Sequence, residues 1–273
     1  MVESIEELKK ICHNNARFTD RPWWYRLYRA TSIRLTRLIL LTGIIINPNY
    51  VTFLEVIMGI SGALLLLSTN FIVNMLGFIF LFSAYLFDCM DGELARYYKK
   101  FSSAGSYLDE VGHAIVDPLL FTVLALNVFF ESPNTLVILM GFLTAFLIRF
   151  IKANYQLSSF IFVKEVTSSP DIFLNSKPKI EEKSEKTLLS KILVIVNSFK
   201  HYVITVFIFL VAYLFDYLKG SIPIPFIEYK VLILLFYSVF LSIVALVQIV
   251  ININNIDKEK ISLFHKLMEA IKK

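Results

Sequence analysis

The sequence predicts an all-α polytopic membrane protein with six transmembrane helices and one amphipathic helix ahead of them. Of its 273 residues, 56% are hydrophobic and 18% are charged, whereas charged residues make up about 25% of a soluble domain. The charges are also segregated. Glu55 is the only charged residue from Leu38 to Phe87, and none occurs from Val231 to Ile256. Both stretches exceed the roughly 20 apolar residues that a helix needs to cross a bilayer.

Apolar runs place the six spans at about 49–68, 72–98, 105–130, 134–157, 201–218 and 230–253. Short polar clusters separate the first span from the second and the third from the fourth, and such clusters mark chain reversals. Ahead of the spans, residues 22–46 mix aromatic and basic side chains, which favour the headgroup level of a bilayer. We therefore expect an interfacial helix in this segment.

These features divide the chain into three predicted regions. The first, at 1–47, is a cytoplasmic N-terminal region that contains the interfacial amphipathic helix. The second, at 48–255, is the six-helix membrane domain, with a polar cytoplasmic linker at about 164–190. The third, at 256–273, is an amphipathic cytoplasmic tail.

The distribution of Lys and Arg predicts how the protein is oriented in the membrane. With six spans, 25 of the 27 basic residues fall on one side, and only Lys219 and Lys230 lie on the other. Basic residues accumulate in loops that stay cytoplasmic. We therefore expect an integral protein of the cytoplasmic (plasma) membrane whose termini and active site face the cytoplasm. Membrane lipids account for the net charge of +5, so no nucleic-acid partner is expected.

Acidic residues are concentrated where the second predicted span ends and the third begins. Asp88 and Asp91 are one helical turn apart, and Asp109 and His113 are also one turn apart, so each pair shares a helix face. An acid at the centre of a bilayer costs about 2.5–3.5 kcal/mol, which indicates a functional role. Because close carboxylates cannot all ionise without a cation, the set predicts a Mg²⁺ or Mn²⁺ site.

These acids belong to a longer pattern, D-x-x-D-G-x-x-A-R-x8-G-x-x-x-D, which runs from Asp88 to Asp109. The pattern resembles the signature of the CDP-alcohol phosphatidyltransferase family, and Pro48 to Thr52 resembles the start of that family's first helix. Members are six-helix membrane enzymes with a dimetal site. The resemblance implies a phospholipid-synthesising enzyme that transfers a substituted phosphate from a CDP-linked lipid donor, usually CDP-diacylglycerol, to an alcohol acceptor and releases CMP.

Carried over residue by residue, the resemblance implies two groups of binding residues. Two Mg²⁺ or Mn²⁺ ions would be held by Asp88, Asp91, Asp109 and His113. The cytidine diphosphate would be held by Asn49, Thr52, Asp88, Gly92, Ala95, Arg96 and Gly105. Gly92, Ala95 and Gly105 are small at positions where a ligand would approach the helix backbone closely.

His113 departs from the family pattern, which has a fourth Asp at this position. Neutral imidazole can ligate a metal or accept a proton, so His113 is expected to be the base or a metal ligand. Asp117, on the next turn of the same face, would orient the ring. The predicted catalytic residues are therefore Asp109, His113 and Asp117. The alternative is a catalytically degenerate member that binds nucleotide or lipid without turnover.

Arg149 and Lys152 lie one turn apart near the end of the fourth predicted span. Cations inside a helix bundle usually have an anionic partner, and residues of this kind commonly line the acceptor site in the family that the chain resembles. Arg149 and Lys152 therefore predict an acceptor that carries phosphate or carboxylate. The alternative, which fits equally well, is that both residues anchor the helix by extending their charged ends to the lipid headgroups. The sequence leaves open which alcohol is used and whether the chain forms a homodimer.

Four residues outside the motif also have an interpretation. Glu55, one turn after Thr52, is expected to pair with Arg34 or Arg37 of the interfacial helix or to contact the substrate. No acid lies at ligand spacing from the remaining histidines, which are interpreted as ordinary surface or interfacial residues: His13, His201 and His265.

Overall fold

A computed structural model describes residues 3–13, 23–168, 201–219 and 228–271. Helices account for most of these residues, and no strand occurs among them. The helices are α1 (Ile5–Cys12), α2 (Trp23–Leu41), α3 (Pro48–Leu65), α4 (Phe71–Tyr97), α5 (Ser103–Glu131), α6 (Thr135–Ser168), α7 (Tyr202–Leu218) and α8 (Tyr229–Ile271). The predicted all-α fold is confirmed.

Among the described residues, five helices are long and apolar enough to cross a membrane: Pro48–Leu65, Phe71–Tyr97, Ser103–Glu131, Thr135–Ser168 and Tyr229–Asn254 within α8. The remaining predicted span corresponds to α7, an apolar helix of 17 residues. The chain is therefore a polytopic membrane protein. The polar clusters predicted to be reversals do separate α3 from α4 and α5 from α6.

Two helices extend further than the apolar runs that predicted them. α6 continues to Ser168, so the linker expected at about 164–190 begins inside a helix, and its part from 169 lies outside the described residues. α8 continues to Ile271, through the predicted boundary between membrane domain and tail at 255. No Pro or Gly follows position 228, so nothing in the sequence breaks the helix where its apolar run ends.

The membrane helices form one bundle around a shared apolar core. α3 packs against α4 and α5, α6 packs against α5 and α8, and α7 packs against α4 and α8. Leu81, Leu124 and Phe209 are fully buried in this core. Apolar residues also cover the outside, where Ile72 and Leu246 are 77% and 65% exposed. Helices that are apolar on all faces are typical of membrane spans, whose outer faces meet lipid.

Glycines allow α3 to approach both of the helices that carry the acidic motif. A Cβ atom at Gly62 would lie 2.9 Å from the carbonyl oxygen of Gly77 on α4. A Cβ atom at Gly59 would lie 2.9 Å from a methyl group of Val116 on α5. Small residues at such crossings let helix backbones pack closely inside a membrane. α3 is therefore fixed beside both α4 and α5.

Lys219 and Lys230, the two basic residues predicted to lie on the non-cytoplasmic side, are both ion-paired. Lys230 Nζ donates to the carboxylate of Glu131 at 2.6 and 2.7 Å and to Asn127 Oδ1 at 2.8 Å. Lys219 Nζ lies 3.6 Å from Asp216 Oδ1. The exceptions to the predicted charge asymmetry are thus neutralised by neighbouring acids.

α1 and α2 pack on α4 around Glu93, whose side chain is fully buried. The hydroxyls of Ser32 and Thr36 donate to its two carboxylate oxygens, each at 2.7 Å. His13 Nε2 lies 2.9 Å from Glu93 Oε1, and Arg29 Nη1 lies 3.4 Å from the same atom. The interpretation of His13 as an ordinary surface or interfacial residue is therefore wrong, because its ring is buried and contacts the carboxylate of Glu93.

We expect Glu93→Ala to detach α1 from the bundle. The change leaves Arg29 without its buried anion, and removal of one partner of a buried pair costs about 3 kcal/mol or more. The reactivity of Cys12, the last residue of α1, shows whether α1 is packed on the bundle. Cys12 is fully buried, and burial raises the pKa of its thiol to about 11. Thiolate is the reactive form, so Cys12 should react slowly with a maleimide at neutral pH in the intact protein.

Maleimide labelling in a Cys89→Ala background isolates the Cys12 thiol. Glu93→Ala should label at least about tenfold faster, since local opening exposes a buried group. Glu6 lies on the exposed face of α1, so Glu6→Gln is the matched control and should label at the unmodified rate. Equal rates in all three proteins would contradict this account of Glu93.

Candidate active site

The acidic motif lies where the end of α4 meets the beginning of α5. Residues 98–102 connect the two helices, and Lys99 adopts the left-handed backbone conformation, with φ of 53°. Ser102 caps α5, because its side-chain oxygen accepts the backbone N–H of Gly105 at 2.9 Å. α3 packs against both α4 and α5, so the two motif helices share one neighbour at this end of the bundle.

Four side chains converge at this point. Glu55, Asp88, Asp109 and His113 each offer one possible ligand atom, and these atoms all lie within 4.8 Å of one another. Three of the four predicted metal ligands are thus brought together from α4 and α5. The fourth member of this group comes from α3 and was not among the predicted ligands.

Asp91, the remaining predicted ligand, lies one turn after Asp88 on α4. The hydroxyl of Thr52 donates a hydrogen bond to its Oδ2 atom. Asp91 therefore connects α4 to α3. The structure joins Asp91 to a predicted nucleotide-binding residue, and the metal and nucleotide roles of both residues remain predictions.

Glu55 does not have the arginine partner that was expected for it. Arg34 Nη1 donates to the carbonyl oxygen of Ala30, and Arg37 Nε donates to that of Glu3. The expected pairing with Arg34 or Arg37 is therefore wrong. One sequence feature did indicate that Glu55 lies near the motif. It follows Thr52 by one helical turn and therefore shares the face of α3 that contacts Asp91.

His113 lies between two carboxylates of its own helix. Its Nε2 atom is 3.5 Å from Asp109 Oδ1, and its Nδ1 atom is 4.0 Å from Asp117 Oδ1. Both distances exceed the usual hydrogen-bond range of about 2.7–3.2 Å. The structure therefore places Asp117 beside the second ring nitrogen, as expected, at a distance longer than a hydrogen bond.

The donor set of this cluster fits a divalent cation. Glu55 Oε2 and Asp109 Oδ1 are buried atoms without a hydrogen-bond partner, which is uncommon for buried acceptors. Carboxylate oxygens are the preferred ligands of Mg²⁺ and suit Mn²⁺ as well. A cavity of about 10 Å³, room for roughly one water-sized particle, adjoins the cluster. Its polar lining residues are Glu55, Tyr85, Asp88, His113 and Tyr202.

The predicted nucleotide-binding residues lie on α3, α4 and α5, the same three helices that carry the cluster. A Cβ atom at Gly105 would lie 2.7 Å from Asn49 Oδ1, so the glycine makes room for the amide. A Cβ atom at Gly92 would lie 3.2 Å from Arg96 Nη2, so this glycine makes room for the guanidinium. Ala95 precedes Arg96 in the last turn of α4. Arg96 Nε is buried and has no hydrogen-bond partner, which suits an anionic ligand.

The predicted acceptor residues differ in their surroundings. Lys152 Nζ is held 3.1 Å from Glu110 Oε2 on α5. Arg149 Nη1 is buried and has no hydrogen-bond partner. Both cations lie on α6, which packs against α5, the helix that carries the predicted catalytic residues. An interface anchor keeps its charged head in water, so the anchor interpretation does not account for the buried Nη1 atom of Arg149.

Comparisons with known proteins match the part of the chain that carries this cluster. Residues 45–171 match the family model described as CDP-alcohol phosphatidyltransferase. A curated relative from Archaeoglobus fulgidus, named bifunctional IPC transferase and DIPP synthase, is 35% identical over 81 residues. That alignment covers 30% of this chain and 16% of the relative, about a sixth of the relative's length. The family match includes the whole motif from Asp88 to Asp109, and through residues 45–171 the chain is similar to the CDP-alcohol phosphatidyltransferase family.

Proposed function

We propose that this chain is a metal-dependent CDP-alcohol phosphotransferase of phospholipid biosynthesis. It moves a phosphatidyl or related phospho-alcohol group from a CDP-linked donor, such as CDP-diacylglycerol, to an alcohol acceptor and releases CMP. The observation that carries the proposal is the convergence of Asp88, Asp109 and His113 inside the family-matched segment. These residues come from two helices, and only the folded bundle brings them together.

We infer that Asp88, Asp91 and Asp109 hold Mg²⁺ or Mn²⁺, with two ions at the site. His113 is assigned as the base, and the alternative role for it is that of a further metal ligand. Such ions, when bound, neutralise charge that develops on the departing nucleotide. Arg96 contributes a fixed positive charge, and its buried unpartnered Nε atom is free to bind the diphosphate. Asn49 and Thr52 hold the same nucleotide from α3, where Thr52 already bonds to Asp91.

The transfer exchanges one phosphorus–oxygen bond for another. The hydroxyl oxygen of the acceptor attacks the phosphorus that carries the lipid alcohol, and the bond from that phosphorus to CMP breaks with its electron pair on CMP. His113 takes the proton of the hydroxyl, and Asp109 and Asp117, on either side of its ring, orient it. Acyl or alkyl chains of the donor would lie in the bilayer beside the apolar faces of the bundle.

We further propose that the site faces the cytoplasm from the plasma membrane. Arg96, Lys99 and Lys100 stand at the end of the bundle where the motif lies, and basic residues of this kind are typical of the cytoplasmic side. Both termini would then be cytoplasmic. A soluble nucleotide product such as CMP leaves most directly from a site at a membrane surface.

CMP release tests the function directly. The purified protein in lipid nanodiscs, supplied with CDP-diacylglycerol and Mg²⁺, should release CMP when one member of a panel of alcohols and phosphorylated alcohols is added. The panel identifies the acceptor. His113 favours a second candidate, a degenerate member that binds without turnover. Binding of CDP-diacylglycerol with no CMP release across the panel would support that candidate and overturn the transferase.

Arg149→Ala is expected to raise the KM for the acceptor by about tenfold or more and to leave the donor KM nearly unchanged. The buried Nη1 atom needs an anion, and a charge-assisted hydrogen bond contributes about 1.5–3 kcal/mol. Lys152→Ala should have a smaller effect, because Lys152 already pairs with Glu110. Steady-state kinetics with each substrate varied in turn measures both constants.

Lys100→Ala is the matched control for these two changes. Lys100 is an exposed cation at the same end of the bundle, and its loss should leave both KM values unchanged. Equal increases in donor and acceptor KM for Arg149→Ala would show that Arg149 does not select the acceptor.

A further inference from the structure

Glu55 is an isolated acid inside an otherwise apolar helix. It is the only charged residue of α3, and it is buried, with 7% of the residue exposed. A carboxylate within a membrane span costs several kcal/mol unless it has a partner. None of the ion pairs observed among the described residues involves Glu55, so no protein cation offsets this cost there.

The side chain of Glu55 is directed at the cluster of α4 and α5. It lines the small cavity beside Asp88 and His113, and its Oε2 atom is buried without a hydrogen-bond partner. A ligand atom of Glu55 lies within 4.8 Å of one on each of Asp88, Asp109 and His113. Two ligands of one Mg²⁺ ion, bound at about 2.1 Å, are at most about 4.2 Å apart, so movements of a few tenths of an ångström suffice.

The position of Glu55 is fixed by the packing of its helix. Its neighbour Val56 contacts Gly112 of α5 so closely that a Cβ atom at Gly112 would overlap it. Gly59, one turn further along α3, packs on Val116 in the same way. α3 is therefore closely packed on α5 beside Glu55, on the side where Glu55 approaches the cluster.

We propose that Glu55 is a metal ligand of this chain and that it supplies the carboxylate which the motif lacks at His113. The inference rests on the proposed function, in that it assigns a ligand to the metal site of the same enzyme. With Glu55, Asp88, Asp91 and Asp109, this chain has four carboxylates at the site, the same number as a motif with four Asp residues. The charge comes from α3 instead of α5.

Mn²⁺ binding to the purified full-length protein tests this assignment without any turnover. Titration followed by electron paramagnetic resonance counts free Mn²⁺ and gives the dissociation constant. Glu55→Gln, which removes the charge and keeps the size, should weaken Mn²⁺ binding by about tenfold or more. Glu131→Gln makes the same chemical change at the opposite end of α5, where Lys230 is its partner, and should bind Mn²⁺ as the unmodified protein does.

A double variant tests the exchange of carboxylates. In His113→Asp the motif has its fourth carboxylate, so adding Glu55→Gln should weaken Mn²⁺ binding much less than it does alone. If Glu55→Gln does not fold, Glu55→Asp, which withdraws the carboxylate by one methylene, should still lower Mn²⁺ affinity. Unchanged affinity in the folded single variant, or no binding by the unmodified protein, would overturn the assignment.

These outcomes are separate from those of the transferase assay. CMP release by the unmodified protein together with unchanged Mn²⁺ affinity in Glu55→Gln would reject the ligand and retain the function. Weakened Mn²⁺ binding in Glu55→Gln without CMP release from any alcohol would retain the ligand and reject the function.

Discussion

Asp88→Asn and Asp109→Asn should each reduce the release of CMP by about a thousandfold or more and leave a folded membrane protein. Asn has nearly the size of Asp but lacks the charge that holds a cation. Metal ions contribute several kcal/mol to charge stabilisation in a transition state, and about 1.4 kcal/mol corresponds to a factor of ten in rate. Turnover per mole of folded protein, normalised by size-exclusion chromatography, is the measurement.

Asp91→Asn should have an effect of the same size if Asp91 is a ligand. This variant separates a metal ligand from a structural residue. Thr52 donates a hydrogen bond to Asp91 Oδ2, and the side-chain oxygen of Asn can still accept that bond. A merely structural Asp91 would therefore tolerate Asn. Substantial activity in any of the three variants would remove that residue from the proposed metal site.

Metal removal should reproduce the effect of all three changes. Treatment with EDTA is expected to stop CMP release, and excess Mg²⁺ or Mn²⁺ should restore it. Full activity in EDTA would contradict a metal-dependent reaction. Ca²⁺, which prefers longer bonds and more ligands, serves as a control for the size of the ion.

The sequence was sufficient to predict the architecture because a membrane imposes strong local rules. The backbone polar groups of a span have to be hydrogen-bonded within the protein, which a helix achieves within one segment, so apolar length located α3 to α8. The ends of helices were less predictable. α6 and α8 continue past their apolar runs, since hydropathy reports where the bilayer ends and helix continuation depends on the absence of Gly and Pro.

The convergence of Asp88, Asp109 and His113 was also predictable, because helical periodicity and a short connection bring these faces together. Contacts between distant segments were not. Glu55 joins the cluster only because α3 packs against both motif helices. His13 and Glu93 are 80 residues apart in sequence, and no local pattern pairs them. Such contacts depend on tertiary packing, which a single sequence does not display.

His113→Ala is expected to lower turnover by about 10²- to 10⁴-fold, the range for loss of a general base. The ring stands between Asp109 and Asp117, so its loss removes the group that accepts the proton of the hydroxyl. Asp117→Asn should cause a moderate loss, because it removes the charge beside Nδ1 that orients the ring. His113→Asp, which restores the family pattern, should keep measurable activity.

Mn²⁺ affinity distinguishes the two roles proposed for His113. A base that does not ligate the metal would leave the dissociation constant of Mn²⁺ unchanged in His113→Ala while turnover falls. A ligand would weaken both together. Turnover near the unmodified rate with unchanged Mn²⁺ affinity would show that His113 has neither role. The proton of the acceptor would then pass to a neighbouring carboxylate or to water, and the departure from the family motif would have no cost for the chemistry.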